Sequence, residues 1–266
     1  MTTLEDLKTK QQAIWSSGAY SRIAWLTSPL GDTLCEAADV RPGSSVLDVA
    51  TGTGHVALAA ARRFCDATGL DYVPSLLDVA RRRANAEGLA VTWEEGDAEA
   101  LPFTDASFDY VLSAIGVMFT ADHARAASEL VRVCRRGGTI GMINWTPAGF
   151  VGEMFRAIAK HVTPPPEAKP PGLWGTEEYL REILGPGVDL RVETGTIAMR
   201  FGSPAHFADF FIENYGPTLK AHGSLPEEAR PALRNDLIAV ADRANWAQDG
   251  TALCDFEYVV AVATKR

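Results

Sequence analysis

The sequence predicts an α/β fold, a doubly wound parallel sheet with helices on both faces. Three observations carry this. Short β runs alternate with amphipathic helical stretches through the first half, the pattern of successive βαβ units. Ser45-Val-Leu-Asp-Val-Ala50 is apolar on both alternating faces around Asp48, as a strand covered on both sides requires. Gly52-Thr-Gly54 then turns the chain directly into a helical pattern, the strand–turn–helix junction from which such sheets are wound.

Each further element follows from local signals. The helix after the turn carries Val56, Leu58, Ala59 and Ala60. Ala67 to Asp71 reads as the second strand. Pro74 opens a helix to about Glu87, and Gly88 is its C-cap. Val91 to Glu95 is a third strand and Phe108 to Ser113 a fourth. Asp122 is an N-cap for a helix to Arg135, and Gly137-Gly138 feeds a fifth strand, Thr139 to Asn144. The second half changes character. A helix from Gly149 to His161 meets the stiff, proline-rich stretch Thr163 to Gly172. Helices are expected at Thr176–Leu184, Pro204 to about Lys220 and Pro231 to about Trp246, with strands at Val188–Phe201 and Asp255–Thr264. A segment with Trp15-Ser-Ser-Gly-Ala-Tyr20 precedes a helix leading to Val40.

Composition narrows the class. With 47% hydrophobic residues in 266, the chain can bury one large core, and a mean hydropathy of -0.03 is that of a globular protein. A net charge of -9 argues against a nucleic-acid partner, because phosphate contacts need clustered Lys and Arg. The one basic run, Arg81-Arg82-Arg83, reads as a solvated helix face. No apolar run approaches the ~20 residues of a membrane span, and the polar, acidic start does not fit a signal peptide. Cys35, Cys65, Cys134 and Cys254 are too scattered for a zinc site or disulfide frame and read as buried thiols. The expectation is a cytoplasmic protein without a metal. No oligomeric state is legible.

The glycine turn is ambiguous by itself. Gly52-x-Gly54-x-x-Ala57, with Asp71 about 20 residues past the turn, satisfies a loosely written dinucleotide fingerprint, so an NAD(P)-dependent oxidoreductase is a live reading. Three features oppose it. Asp48 would set a negative charge against a pyrophosphate on the helix N-terminus, whereas a ligand with an ammonium and a sulfonium would welcome it. Gly96-Asp97-Ala98 after the third strand offers a carboxylate for an exocyclic adenine amine and an amide for a ring nitrogen. The fourth strand ends at the same crevice.

Together with Arg136-Gly137-Gly138, these segments resemble the class I S-adenosylmethionine (SAM)-dependent methyltransferases, in particular small-molecule enzymes similar to the ubiquinone and menaquinone C-methyltransferases. The resemblance covers about residues 44 to 145. It implies a Rossmann-like, seven-stranded sheet with an antiparallel last strand, N-terminal helices and helical lid insertions. One domain would then comprise a helical cap (1–40), a cofactor core (44–145), and lid or substrate insertions (146–175 and 202–250). It further implies that Asp48 and the backbone of Ala50, Thr51, Gly52, Thr53 and Gly54 hold the methionine end. Asp71 takes the ribose hydroxyls, Tyr72 packs by the adenine, and Gly96, Asp97 and Ala98 read its edge. Ser113 and Ala114 floor the sulfonium. One departure is visible, since Ala50 stands where the family has the first glycine of Gly-x-Gly-x-Gly. In related enzymes the N-terminal segment folds over the cofactor. Trp15 and Tyr20 either shield the methionine end in that way or simply pack a terminal helix.

The acceptor implied is a small organic molecule, methylated on O, N, C or S. Met118 and Phe119, just after the fourth strand, with Trp145, Trp174 and Tyr215, are the candidates for its pocket, which suits an apolar or aromatic molecule. His55 falls near the cofactor and His123 is expected to face solvent. No residue is assigned as catalytic, because methyl transfer rests on positioning and exclusion of water. A non-catalytic SAM-binding module on the same fold stays open beside the enzyme and the oxidoreductase.

Overall fold

The computed structural model describes residues 4–165 and 168–266. Pro166 and Glu167 of the proline-rich stretch, and the first three residues, lie outside the described residues. Among the latter, seven strands form one sheet of order β3-β2-β1-β4-β5-β7-β6. The strands are β1 (Ser45–Val49), β2 (Asp66–Asp71), β3 (Thr92–Glu95), β4 (Phe108–Ala114), β5 (Cys134–Trp145), β6 (Val188–Phe201) and β7 (Ala252–Lys265). The first five pair in parallel, and β7 inserts antiparallel between β5 and β6. Strand order therefore reverses beside β1, where β2 and β3 run to one side and β4 and β5 to the other. Such a switch point opens a crevice at the strands' carboxyl ends.

β1 is the central strand, and Val46, Leu47 and Val49 are fully buried on its two faces. Among the described residues, eleven α-helices flank the sheet. Three precede it: α1 (Leu4–Trp15), α2 (Tyr20–Thr27) and α3 (Pro29–Ala37). The expected single helix up to Val40 is thus two helices, broken at Ser28 where Pro29 starts a new first turn. α4 (His55–Arg62) begins at Gly54, whose φ of 86° is left-handed. A Cβ there would sit 2.7 Å from Trp93, so the residue is glycine for conformation and space alike. α5 (Pro74–Glu87) ends on left-handed Gly88, as expected. α6 (His123–Val133) is capped by Asp122, which accepts from the amide of Arg125 at 3.0 Å.

Boundaries differ from expectation where backbone geometry intervenes. α6 stops at Val133, and β5 begins at Cys134 with a register shift against β4 between Phe108 and Tyr110. At Gly138 a Cβ would meet Asp109 O at 2.8 Å, so the glycine pair permits this irregular edge rather than merely ending a helix. The helix expected over Pro204 to Lys220 is two, α9 (Pro204–Asn214) and α10 (Gly216–Ser224), with α7 (Phe150–Ala159) and α8 (Glu177–Leu184) before them and α11 (Arg230–Ala244) after. The break falls at Tyr215, which is extended (φ -90°, ψ 109°) because Pro217 starts the next helix. A Cβ on Gly216 would lie 2.2 Å from Ile14 O, so α1 and α10 approach backbone to backbone there. α9 and α10 pack against each other, α11 packs on α7 and α9, and α7 lies on β7.

His123 is fully buried, not solvent-facing. Its Nδ1 lies 3.0 Å from the Tyr179 hydroxyl and its ring meets Trp174 edge-on. Among the described residues no helix is long and apolar enough to cross a membrane. All four cysteines are buried and unpaired.

Candidate active site

The carboxyl ends of β1, β2, β3 and β4 border one cleft of about 980 Å³. From β1 come Asp48, Ala50, Thr51, Gly52 and Thr53, and from β2 Asp71 and Tyr72. β3 gives Gly96, Asp97 and Ala98, and β4 gives Ala114 with Ile115 and Gly116 behind it. α1 lies over the cleft and adds Lys8, Gln11 and Trp15, while Tyr20 comes from the start of α2. Thirteen of the fifteen residues expected at the cofactor meet here. Two do not. Gly54 turns toward Trp93 and Ala80 beneath the turn. Ser113 is buried below the floor, where its hydroxyl donates to Val49 O at 2.7 Å and accepts from the Val117 amide at 3.1 Å. It holds the ends of β1 and β4 together and does not line the cleft.

Asp48 is only 1% exposed. Its Oδ2 accepts from the Thr51 hydroxyl and from the Ala57 amide, the latter at 2.9 Å, so it pins the turn and the first turn of α4. Burial, aided by the neighbouring charge of Asp71, pushes its carboxyl up to about 7 against those stabilising hydrogen bonds. Asp71, 5% exposed, accepts from the amides of Gly52 (2.8 Å) and Val73 (2.9 Å). Burial lifts it to about 6. Lys8 is the one Lys or Arg in the lining, and it is engaged elsewhere, 2.6 Å from Asp97 and 2.7 Å from Glu99. Asp48 and Asp71 therefore face the cleft with no cation between them. A ligand bearing an ammonium and a sulfonium supplies what these two lack, whereas a pyrophosphate would be repelled.

His55 also lines the cleft, but it is not a free base. Arg83 Nη1 donates to its Nδ1 at 3.0 Å, and Nε2 lies 3.2 Å from Thr53 Oγ1. Burial first, then the charges of Arg83 and Arg62, hold its basicity down to about 3, so the ring is neutral at physiological pH. It orders the turn by fixing the Thr53 side chain.

The turn is strained where it departs from glycine. Ala50 has a φ of 54° and Ile115 one of 57°, both left-handed. A β-branched residue there is a genuine outlier, and such strain gathers at ligand clamps. The two segments abut, since a Cβ on Gly116 would lie 2.7 Å from Ala50 O.

The substrate candidates divide. Trp145 and Tyr215 line a second cavity of about 400 Å³ beside the cleft. Met118 and Trp174 reach neither space, both being fully buried against α6 and the body of the sheet. Both side chains face the core instead of a pocket. The sequence pointed to Phe119, which lines both spaces, but not to Lys8, Glu99 or Ile115. Phe119 and Met118 adjoin in one short helical turn, Val117–Phe119, which sends the first to the pocket and the second to the core. Trp15 lines the cleft and packs edge-on against Tyr20 (5.4 Å), Phe119 (4.8 Å) and Tyr215 (5.7 Å). Among the described residues no cluster of His, Cys, Asp and Glu is placed to hold a metal.

This geometry has counterparts among known proteins. A methyltransferase-domain family matches residues 46–138. An uncharacterized protein of Mycobacterium tuberculosis, Rv1405c, is 41% identical over 98% of this chain and 96% of its own. A demethylmenaquinone methyltransferase of Deinococcus radiodurans is 41% identical over 52% of this chain and 59% of its own. In fold, a putative methyltransferase from Bacillus halodurans superposes with a TM-score of 0.60 over 87% of this chain and 96% of its own, at 24% identity. With the family matched on the same strand ends that build the cleft, the nicotinamide reading falls away. Residues 46–138 thus belong to a methyltransferase-domain family, set in the Rossmann-like fold of a class I SAM-dependent methyltransferase.

Proposed function

We propose that the chain methylates a small organic acceptor, with SAM held in the cleft at the ends of β1 to β4. The observation that carries this is the pair of buried acids, Asp48 and Asp71, facing the cleft without a cationic partner. In this reading Asp48 and the backbone of Ala50 to Thr53 receive the methionine end. Asp71 keeps a free lone pair on each oxygen for the ribose hydroxyls, beyond those used by Gly52 and Val73. Tyr72 packs by the adenine, and Asp97 with the Ala98 amide reads its edge.

SAM supplies a methyl group on a sulfonium, which leaves as a neutral thioether. The chain's own part is to bind, orient and dry the site. Trp15, Tyr20 and Phe119 wall the cleft opposite the turn, and aromatic faces suit a cationic sulfur. α1, crossing the cleft, excludes water on that side. We read α1 to α3 as a cap and 146–175 with 202–250 as lid or substrate insertions on one domain. No free base stands at the aromatic wall: His55 is held neutral and doubly bonded, and burial beside Asp71 lifts Tyr20 to about 12. Transfer therefore rests on positioning rather than on proton abstraction by a side chain. Four buried, unpaired thiols support a cytoplasmic, reducing setting.

The test is incubation of the protein with methyl-labelled SAM and a metabolite extract. Label should pass to a low-molecular-weight product. Retention of all label in SAM, with SAM demonstrably bound, would make the chain a non-catalytic binding module.

A further inference from the structure

Among the described residues, Asp97 alone of the three acids Asp48, Asp71 and Asp97 meets a cation, the ammonium of Lys8. The contact is 2.6 Å long and falls on Oδ2, because Oδ1 already accepts from the Glu99 amide at 2.8 Å. Lys8 has a second acid within reach. Its Nζ lies 2.7 Å from Glu99 Oε2. Glu99 is 4% exposed and held from behind, since its Oε1 accepts from the amides of Ala121 (2.7 Å) and Asp122 (2.9 Å). The ammonium therefore stands between a fixed, buried acid and a half-exposed one that borders the cleft.

Asp97 Oδ2 is also the acceptor that this end of the cleft offers a ligand. Ala98, the next residue, lines the cleft, and its amide donates to no described atom. An acceptor and a donor on consecutive residues complement an amidine edge, an N–H beside a ring nitrogen, and adenine presents that edge. Lys8 and the exocyclic amine of an adenine would thus compete for one oxygen. α1 has further holds besides Lys8: Gln12 Nε2 donates to Tyr72 O at 2.5 Å, and Trp15 packs on Phe119 at 4.8 Å. The ammonium can move without releasing the helix.

We propose that Lys8 stands in for the exocyclic amine at Asp97, that cofactor binding shifts it onto Glu99 alone, and that Lys8 thereby sets how strongly the site prefers adenine to a purine without that amine. The assignment rests on the cofactor reading above, since the exchange occurs only if an adenine occupies the cleft. Two donors crowded onto Oδ2 would set the ammonium against the positive edge of the amine. Glu99 gives Lys8 a buried carboxylate to keep, so the charge is never left unpaired. The hydrogen bond gained by the amine is then offset by the one Lys8 gives up, and only the difference reaches the affinity. A purine lacking the amine leaves Lys8 in place. The exchange transfers no proton and breaks no covalent bond. Lys8 is a specificity-determining residue, distant from the reacting atoms.

The experiment titrates the wild-type chain and Lys8→Met with two ligands, S-adenosylhomocysteine and its analogue carrying hydrogen in place of the exocyclic amine. The ratio of the two affinities is the readout. A role as a tether for α1 would weaken both ligands alike in Lys8→Met and leave that ratio unchanged. Expected instead is a ratio that widens about three- to tenfold in favour of S-adenosylhomocysteine, the worth of one hydrogen bond no longer traded away. A ratio that stays the same or narrows overturns the proposal. A second measurement needs no variant. In a crystal of the wild-type complex with S-adenosylhomocysteine, Lys8 Nζ should bond Glu99 and the exocyclic amine should bond Asp97 Oδ2. An ammonium still on Oδ2 there overturns the proposal equally. Absence of S-adenosylhomocysteine binding to the wild-type chain would overturn the cofactor reading, and the exchange with it, whereas binding with an unchanged ratio overturns the exchange alone.

Discussion

The amide of Gly52 donates to Asp71 Oδ2 at 2.8 Å, fastening the turn that follows β1 to the carboxylate that ends β2. The two residues are 19 apart in sequence and share one wall of the cleft. The acid thus shapes the turn and faces the ligand with the same group. Asp71→Ala should weaken S-adenosylhomocysteine binding by about 1.5–3 kcal/mol, the range for hydrogen bonds to a charged group. Equilibrium titration measures this, and unchanged affinity would place the ribose elsewhere.

Asp48 predicts a pH dependence. In the fold its carboxyl keeps its proton up to about pH 7, whereas in an unfolded chain an aspartate releases it near about 4. The folded chain therefore binds more protons between these values, and apoprotein stability falls as pH rises from about 4 to about 7. Asp48→Asn should flatten this part of the stability profile, because the amide oxygen can still accept from Thr51 and Ala57. Binding of a cationic ligand should release protons near pH 6.5, detectable as buffer-dependent calorimetric heats. A profile that keeps its slope in the Asn variant would assign the proton to another group.

Ala50 tests how far the turn tolerates a side chain. Its φ of 54° costs roughly 1 kcal/mol for a non-glycine residue. Ala50→Gly should leave stability within about 1 kcal/mol, since relieved strain offsets glycine's greater freedom when unfolded. Ala50→Val should cost about 2 kcal/mol or more, adding a β-branched residue in the left-handed region beside Gly116. Urea denaturation of both variants decides it. Equal midpoints would mean the turn relaxes freely.

Lys8 ties α1 across the cleft to Asp97 and Glu99. All three are at the rim or half-buried except Glu99, whose Oε1 also accepts from the Ala121 amide at 2.7 Å. Lys8→Ala should lower global stability by only about 1 kcal/mol, the scale of a screened ion pair. Amide exchange over Leu4–Trp15 should nonetheless quicken, because α1 loses its tether. Unaltered exchange would mean Trp15 packing alone holds the helix.

The parallel core was legible because its signals are local. Asp48 lies inside an apolar run, and Asp71 and Asp97 each follow a short strand, so pattern and spacing placed all three at neighbouring strand ends. Local rules also marked Asp122 and Gly88 as caps. Pro217 is also a local signal for a helix break, yet the helix expected over Pro204 to Lys220 ran through it. What sequence could not supply was contact over distance. Lys8 reaches Asp97 across 89 positions. The second cavity joins residues from Tyr20 to Phe256. Met118 was expected at the pocket because it follows the fourth strand and Trp174 because it is a lid-side aromatic, yet both are turned inward and fully buried.

Every residue role given above turns on SAM occupying the cleft. Calorimetric titration of the apoprotein with S-adenosylhomocysteine, with NAD+ and NADP+ run in parallel, puts this to the test. One-to-one binding of S-adenosylhomocysteine, weakened at least tenfold by Asp71→Ala, and no heat from either dinucleotide is the predicted result. Binding of a dinucleotide, or no binding of S-adenosylhomocysteine at millimolar concentration, would contradict it.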